Sequence, residues 1–233
     1  MKVAEGGAHE DGGQTRGDAL TLKGEEDLGA VVQAGKEHAG KKSPITDLPI
    51  INQTDFLGGM SIITGRGDDG ETDLLFGRRI AKTSLRVELL GTVDEVNAAL
   101  GLARAAGPVT EVETIIARLQ EMLIGLMGQF ACQPGDEDRY AKSGFRTVGQ
   151  EDLEWVVTIA KDFEARGIVF KDWARPGADH SIARAGMDLA RSVARRAERA
   201  ALRLHESGEE VPEVLRLFFN RLSDLLWILA RAA

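Results

Sequence analysis

Apolar residues recur at Val112, Ile115, Ile116, Leu119, Leu123 and Leu126. The i, i+3, i+4, i+7 spacing is that of one helix face, and it predicts a helix of about six turns over VTEVETIIARLQEMLIGLMGQFACQ. QEDLEWVVTIAKDFEARG reads as another amphipathic helix, Ile182 to about His205 as a longer one, and EVLRLFFNRLSDLLWILARAA as the last. Upstream, TSLRVELLGTVDEVNAALGLARAAG also has helical period. There Thr92 and Glu95 form a capping box that sets the helix start just before Asp94, and Gly107-Pro108 ends the helix. PGDEDRYAKSGFRTVG reads as a loop, IVFKDWARPGADHS as irregular with a Pro-Gly turn, and ESGEEVP as a turn. Five helices with short links predict an all-α fold, an antiparallel bundle of the ferritin-like kind.

Composition agrees with packed helices. Aromatics are only 5% of the chain, so the core must be built from Leu, Ile, Val and Ala rather than from an aromatic-rich sandwich. The formal charge of -8 argues against a surface spread over nucleic acid. Cys132 is the single cysteine, which excludes an internal disulfide framework and fits a reducing cytosol. No stretch reaches the roughly 18 apolar residues of a membrane span. The first twenty residues also lack the apolar core of a signal peptide, and a cytoplasmic protein is the expectation. Residues 1–58 are rich in Gly, Lys, Glu, Asp and Gln with scattered apolar positions, and read as a disordered tail with a docking segment near Ile45 to Ile51. A translation start set too far upstream explains that tail equally well. Residues 59–233 are then the helical domain.

ITGRGDDGETDLL, residues 63–75, holds three glycines and three aspartates but lacks the lysine of a P-loop. Alone it is a glycine-rich turn with a modest claim on phosphate and no metal-loop spacing.

The long fourth helix carries a polar stripe. With Arg191 at zero on a helical wheel, Arg195 falls at about 40° and Glu198 at about -20°. Leu189, Val193, Ala194, Ala197, Ala201 and Leu204 cover the opposite, core-facing arc, and Arg196, Arg199 and Arg203 lie on a flank. From the helix alone two readings stand: a guanidinium grip on phosphates, or a solvated face of Arg–Glu pairs. On the last helix Asn220, Asp224, Trp227 and Arg231 share a face, opposite Leu222, Leu225, Leu226 and Leu229. Asn220 and Asp224 suit either a local hydrogen-bonded pair or a ligand-facing one. On the first helix Asp94, Asn97 and Gly101 share a face. An acid favoured by the helix dipole accounts for Asp94 as well as function does.

Taken together, TGRGDDGETDLLFG, LLGTVDEVNAALGLARA and RSVARRAERAALRLHE with VLRLFFNRLSDLLWILAR resemble the propanediol-utilisation type ATP:cob(I)alamin (corrinoid) adenosyltransferases, in order from about Thr64 to Arg231. The resemblance implies a five-helix bundle assembled as a homotrimer, with active sites between subunits. It implies transfer of the 5′-deoxyadenosyl group of ATP to the cobalt of cob(I)alamin or a related corrinoid, with triphosphate released. Mg²⁺ would accompany ATP through its phosphates, with no direct protein ligand assigned. A reductase or a cobalamin-dependent acceptor enzyme is a further implied partner. By the same resemblance Thr64, Gly67, Asp68, Gly70 and Thr72 form the ATP loop and Lys82 lies near the phosphates. Arg195, Glu198 and Asn220 complete the ATP site. Arg195, Asp94 and Arg191 carry the catalytic roles, the last two as an acid–arginine pair bridging subunits. Trp173 stands where an aromatic would keep a ligand off the lower cobalt face. The cobalt is itself the nucleophile, so no Ser, Cys or His is needed for that role.

The chain departs from the family pattern at three places. The loop reads Thr64-Gly65-Arg66-Gly67-Asp68 where Thr-Lys/Arg-Thr-Gly-Asp is usual, and Glu71 replaces a small residue. The Trp173-to-Pro176-Gly177-Ala178 stretch carries Trp for Phe and is longer before Arg191. Asp188 stands where His is usual. The altered Pro-Gly stretch and Glu71 raise one alternative, a non-catalytic ATP- or corrinoid-binding homologue (a sensor or a cofactor-delivery protein); a helical bundle with no ligand is another, and it leaves Asp68, Lys82 and Arg195 unexplained.

Overall fold

The computed structural model describes residues 63–168 and 173–233. The expected tail and its boundary at 58/59 lie outside the described residues. A short antiparallel hairpin, β1 (Glu71–Asp73) and β2 (Arg79–Ala81), precedes the helices. The helices are α1 (Leu85–Ala105), α2 (Thr110–Ala131), α3 (Glu137–Lys142), α4 (Gln150–Ala165), α5 (Ile182–Glu206) and α6 (Glu213–Ala232).

The ends are set by local chemistry. Ser84 caps α1, its hydroxyl accepting from Val87 N at 3.3 Å, and Ser181 caps α5 by accepting from Arg184 N at 3.2 Å. α1 therefore starts about two turns earlier than the Thr92–Glu95 pattern predicts. Thr92 sits buried inside the helix, where its hydroxyl donates to Glu88 O at 2.7 Å, satisfied by the preceding turn rather than by a free amide. Gly107, at φ +68°, and Pro108 end α1 as expected.

α1 with α2, α1 with α5, α5 with α6 and α2 with α4 pack antiparallel, as their cross-helix contacts show, which leaves α4 and α6 running in the same direction. α1 meets α2 through Gln120 to Asn97 O and Arg104 with Glu113. α1 meets α5 through Ala103 beside Gly186 at one end and Glu95 with Arg196 further along. α5 meets α6 through Glu198 with Asn220 and Asp188 with Arg231. α4 runs beside α6 and reaches α2 through Arg118 over Trp155 and Arg166 on Glu111. Gly186 permits the close α1–α5 approach, since a Cβ there would lie 3.0 Å from the Ala103 backbone.

The core is mostly aliphatic, as composition demands, with Phe218 and Phe219 of α6 its largest fully buried side chains. Fully burying each such side chain contributes about 1.5–3 kcal/mol. Leu222, Leu225, Leu226 and Leu229 are buried as the wheel predicts. Leu189 is not: it is 49% exposed, because it lies at the margin of the apolar arc.

The stretch expected to be a loop between α2 and α4 contains α3. Its Tyr140 is buried against α2, donating to Arg146 O at 2.8 Å. Gly125 and Gly128 make room, since a Cβ at 128 would lie 2.6 Å from the Tyr140 hydroxyl and one at 125 would meet Arg146 O at 3.1 Å.

Candidate active site

The glycine loop folds back on the hairpin. Asp68 N donates to Gly65 O at 3.1 Å, Gly70 N to Gly67 O at 3.2 Å, and Lys82 N to Gly70 O at 2.8 Å. Gly70 takes φ +86°, a conformation that disfavours any other residue. Lys82 Nζ crosses above to donate to Gly67 O at 2.6 Å. Thr64, whose hydroxyl accepts from Arg66 N at 3.4 Å, Gly67, Asp68, Gly70 and Lys82 are thus gathered around one turn, with Thr72 next to it on β1 opposite Ile80.

The loop's charges have local partners. Arg79 engages Asp69 at 3.1 Å and Glu71 at 3.2 Å, and Arg66 engages Asp73 at 3.2 Å. The Glu71 N–H and then Arg79 hold the Asp69 carboxyl below its usual range. Glu71 and the shifted Arg66 therefore belong to a charge ladder across the hairpin, and Glu71 is offset by Arg79. Asp68 differs, its carboxylate making no hydrogen bond or ion pair with a described residue.

Arg78 fixes the hairpin to the α2–α3 junction. Its Nε and Nη2 donate to the two Asp136 carboxylate oxygens at 2.6 and 3.0 Å, and those bonds hold the Asp136 carboxyl below its usual range.

A cavity of about 630 Å³ opens between α4, α5 and α6. α5 supplies Arg191 and Arg195, α6 supplies Arg221, Asp224, Trp227 and Ile228, α4 supplies Lys161 and Glu164, and Trp173 and Ala174 stand at its edge. Trp173 is 88% exposed. Arg195 makes no hydrogen bond or ion pair with a described residue, leaving a full guanidinium fork for a ligand. Glu198 and Asn220 form a cross-helix pair, Asn220 Nδ2 donating to Glu198 Oε1 at 3.0 Å. Arg221 Nη1 donates to Asn220 Oδ1 at 2.5 Å and lies 3.3 Å from Asp224, so Asn220 and Asp224 are joined through an arginine rather than directly.

Beneath the cavity, Asp188 is 5% exposed and accepts from Arg231 Nη1 at 2.9 Å, with Arg191 Nε 3.4 Å from the same oxygen. The Arg231 guanidinium lies 4.5 Å from the centre of the Trp227 ring. No sequence pattern points to Lys161 and Glu164, and the signal for Asp188 is its place one turn before Arg191. Arg196 is taken by Glu95, whereas Arg199 and Arg203 are exposed.

The fold thus joins Arg191, Arg195 and Trp173 in one cavity and pairs Glu198 with Asn220. It gathers the loop residues with Lys82 at the Asp136 end of the bundle. Asp94 is exposed on α1 without a hydrogen-bonding or ionic partner among the described residues. The lining of the cavity, among the described residues, includes none from the hairpin. No group of three or more His, Cys, Asp or Glu among them is placed to hold a metal ion, and no described helix is long and apolar enough to cross a membrane.

Residues 62–233 match the sequence profile of the cobalamin adenosyltransferase family, and the chain belongs to that family. It is 35% identical over 176 residues to the corrinoid adenosyltransferase PduO of Salmonella typhimurium, covering 74% of this chain and 49% of that protein. The chain thus matches about half the length of this relative. It is 35% identical over 171 residues to the cobalamin adenosyltransferase of Cupriavidus metallidurans, covering 73% of this chain and 86% of that one. The fold is similar to that of a variant PduO-type ATP:corrinoid adenosyltransferase from Lactobacillus reuteri complexed with cobalamin and ATP. The TM-score is 0.65 and the identity 24%, over 74% of this chain and 92% of that one.

Proposed function

We propose that this chain transfers the 5′-deoxyadenosyl group of ATP to the cobalt of a reduced corrinoid, cob(I)alamin or a precursor, and releases triphosphate. The observation that carries the reading is the cavity itself. Arg195 faces it with no described partner, Arg191 lies one turn away, and Trp173 and Trp227 supply apolar walls beside them. An unpaired guanidinium beside aromatic surface suits a substrate pair that is anionic at one end and a flat macrocycle at the other.

In the proposed step the cobalt electron pair forms the bond to C5′ of ATP. The C5′–O bond breaks, and its electron pair leaves with the triphosphate. Arg195 stabilises the charge that grows on the leaving oxygens. Lys82 and the loop amides hold the phosphates, with Thr64, Gly67, Gly70 and Thr72 shaping the turn. Mg²⁺ would be carried on the phosphates, with Asp68 the loop carboxylate free to face it and the ion drawing charge off the leaving group. Glu198 and Asn220, already paired, orient the nucleoside. Trp173 excludes a ligand from the lower cobalt face.

The loop lies at one end of the bundle, and the cavity draws none of its described lining from it. A homotrimer in which one subunit's loop closes over its neighbour's cavity would complete the site. Asp94, exposed and unpaired among the described residues, would then meet Arg191 across the interface. A cytoplasmic setting, rich in ATP and reductant, fits the substrates, and a reductase would supply the reduced corrinoid.

The test mixes the protein with ATP, Mg²⁺ and chemically reduced cobalamin and follows the optical spectrum. ATP-dependent replacement of the cob(I)alamin bands by those of adenosylcobalamin is expected. A folded oligomer that binds ATP and leaves the spectrum unchanged would sink the proposal.

A further inference from the structure

Asp188 is a buried carboxylate shared by two arginines from different helices. One oxygen accepts from Arg231 Nη1 of α6 at 2.9 Å and lies 3.4 Å from Arg191 Nε of α5. Arg191 Nε is buried and makes no hydrogen bond, so charge attraction to Asp188 is what fixes it among the described residues. Arg231 also donates to Trp227 O at 3.0 Å and covers the Trp227 ring. One carboxylate therefore governs two features of the cavity, the place of Arg191 and the backing of the Trp227 wall.

Its position along α5 decides which substrate it serves. Asp188 lies seven residues from Arg195, about 10 Å at the helical rise. Arg195, Glu198 and Asn220 extend away from it, whereas Ala174, next to Trp173, borders both the main cavity and the small recess that Asp188 and Arg231 line. The carboxylate thus sits under the aromatic end of the site, away from the end assigned to ATP.

We propose that Asp188 is a positioning residue for the corrinoid, fixing Arg191 and, through Arg231, the Trp227 wall against which the macrocycle rests. This rests on the adenosyl-transfer reading above. Simple charge balance makes a different forecast: removing a negative charge beside the cavity should tighten binding of anionic ATP. Positioning instead separates the two substrates, weakening the corrinoid and sparing ATP.

The experiment compares wild type, Asp188→Asn, Arg231→Met and the double variant in ATP-dependent adenosylation of chemically reduced cobalamin, with KM measured for each substrate. Removing one member of a buried ion pair leaves an uncompensated charge, so the double variant, which removes one charge of each sign, keeps the comparison available if the single variant does not fold. Asp188→Asn and the double variant are expected to raise KM for cobalamin about tenfold or more while KM for ATP stays within about threefold. Arg231→Met, which keeps Asp188 on Arg191, is expected to give a smaller rise. Wild-type kinetics in Asp188→Asn would overturn the inference. So would an equal change in both KM values, a fall in KM for ATP alone, or a lower kcat with both unchanged. A wild-type protein that does not turn over fails the adenosyl-transfer reading itself. An active wild type with an unaffected Asp188→Asn fails only the inference.

Discussion

Lys82 Nζ donates to the Gly67 carbonyl at 2.6 Å, and a Cβ at position 67 would lie 2.8 Å from that nitrogen. The loop and its lysine are therefore built as one unit, with glycine required at the crossing. Gly67→Ala should displace the flexible end of Lys82 and press lightly on the Glu71 carbonyl, 3.2 Å from the added Cβ. We expect KM for ATP to rise about tenfold while thermal stability changes by no more than about 0.5 kcal/mol. Steady-state kinetics and thermal unfolding of the same sample check both halves.

Arg195 has no hydrogen-bonding or ionic partner among the described residues, so its removal should cost binding rather than folding. Hydrogen bonds to charged groups contribute about 1.5–3 kcal/mol, so Arg195→Ala should lose roughly tenfold to a hundredfold in ATP affinity. Calorimetric titration with ATP and a denaturant curve measure the two quantities separately.

Asp136 sets an acid limit on the hairpin's attachment. Arg78 holds its folded pKa below the unfolded value of about 3.9, so the pair's contribution is present above that pH and is lost as pH falls through the folded value. Asp136→Asn should melt lower than wild type at neutral pH, with the gap closing below about pH 4. A melting series from neutral to acid pH checks this, and a gap that persists unchanged in acid contradicts it.

The proposed trimer gives Asp94 a partner that the described residues of one chain do not supply. Light scattering should give the mass of three chains of 25.2 kDa. Asp94→Lys would set like charges together at the interface, and a loss of activity of at least about tenfold is expected together with a smaller particle.

The helical stripes of α2, α4, α5 and α6 were legible because each repeats an apolar face over four or more turns. The start of α1 was not, since Thr92 and Glu95 have the spacing of a capping box while tertiary packing buries Thr92 mid-helix. α3 was hidden because its six residues are too short to show a period, and its signal lies elsewhere, in Gly125 and Gly128. The arginine stripe at Arg191 and Arg195 could be read from helical geometry, but only the fold shows that it faces a cavity. Glu71 departs from the family pattern in sequence, and only the fold shows that Arg79 pairs with it. Lys161 and Glu164 could not be found from sequence, because α4 carries no motif that separates them from any other solvated face.

The central claim is that a carbon–cobalt bond is made at the expense of the C5′–O bond of ATP. The most direct measurement quantifies adenosylated corrinoid and inorganic triphosphate in the same reaction, started with chemically reduced cobalamin, ATP and Mg²⁺. The account predicts equal amounts of the two products, both abolished when ATP is omitted. Tight binding of ATP and corrinoid with neither product formed would contradict it and leave a non-catalytic binding protein in its place.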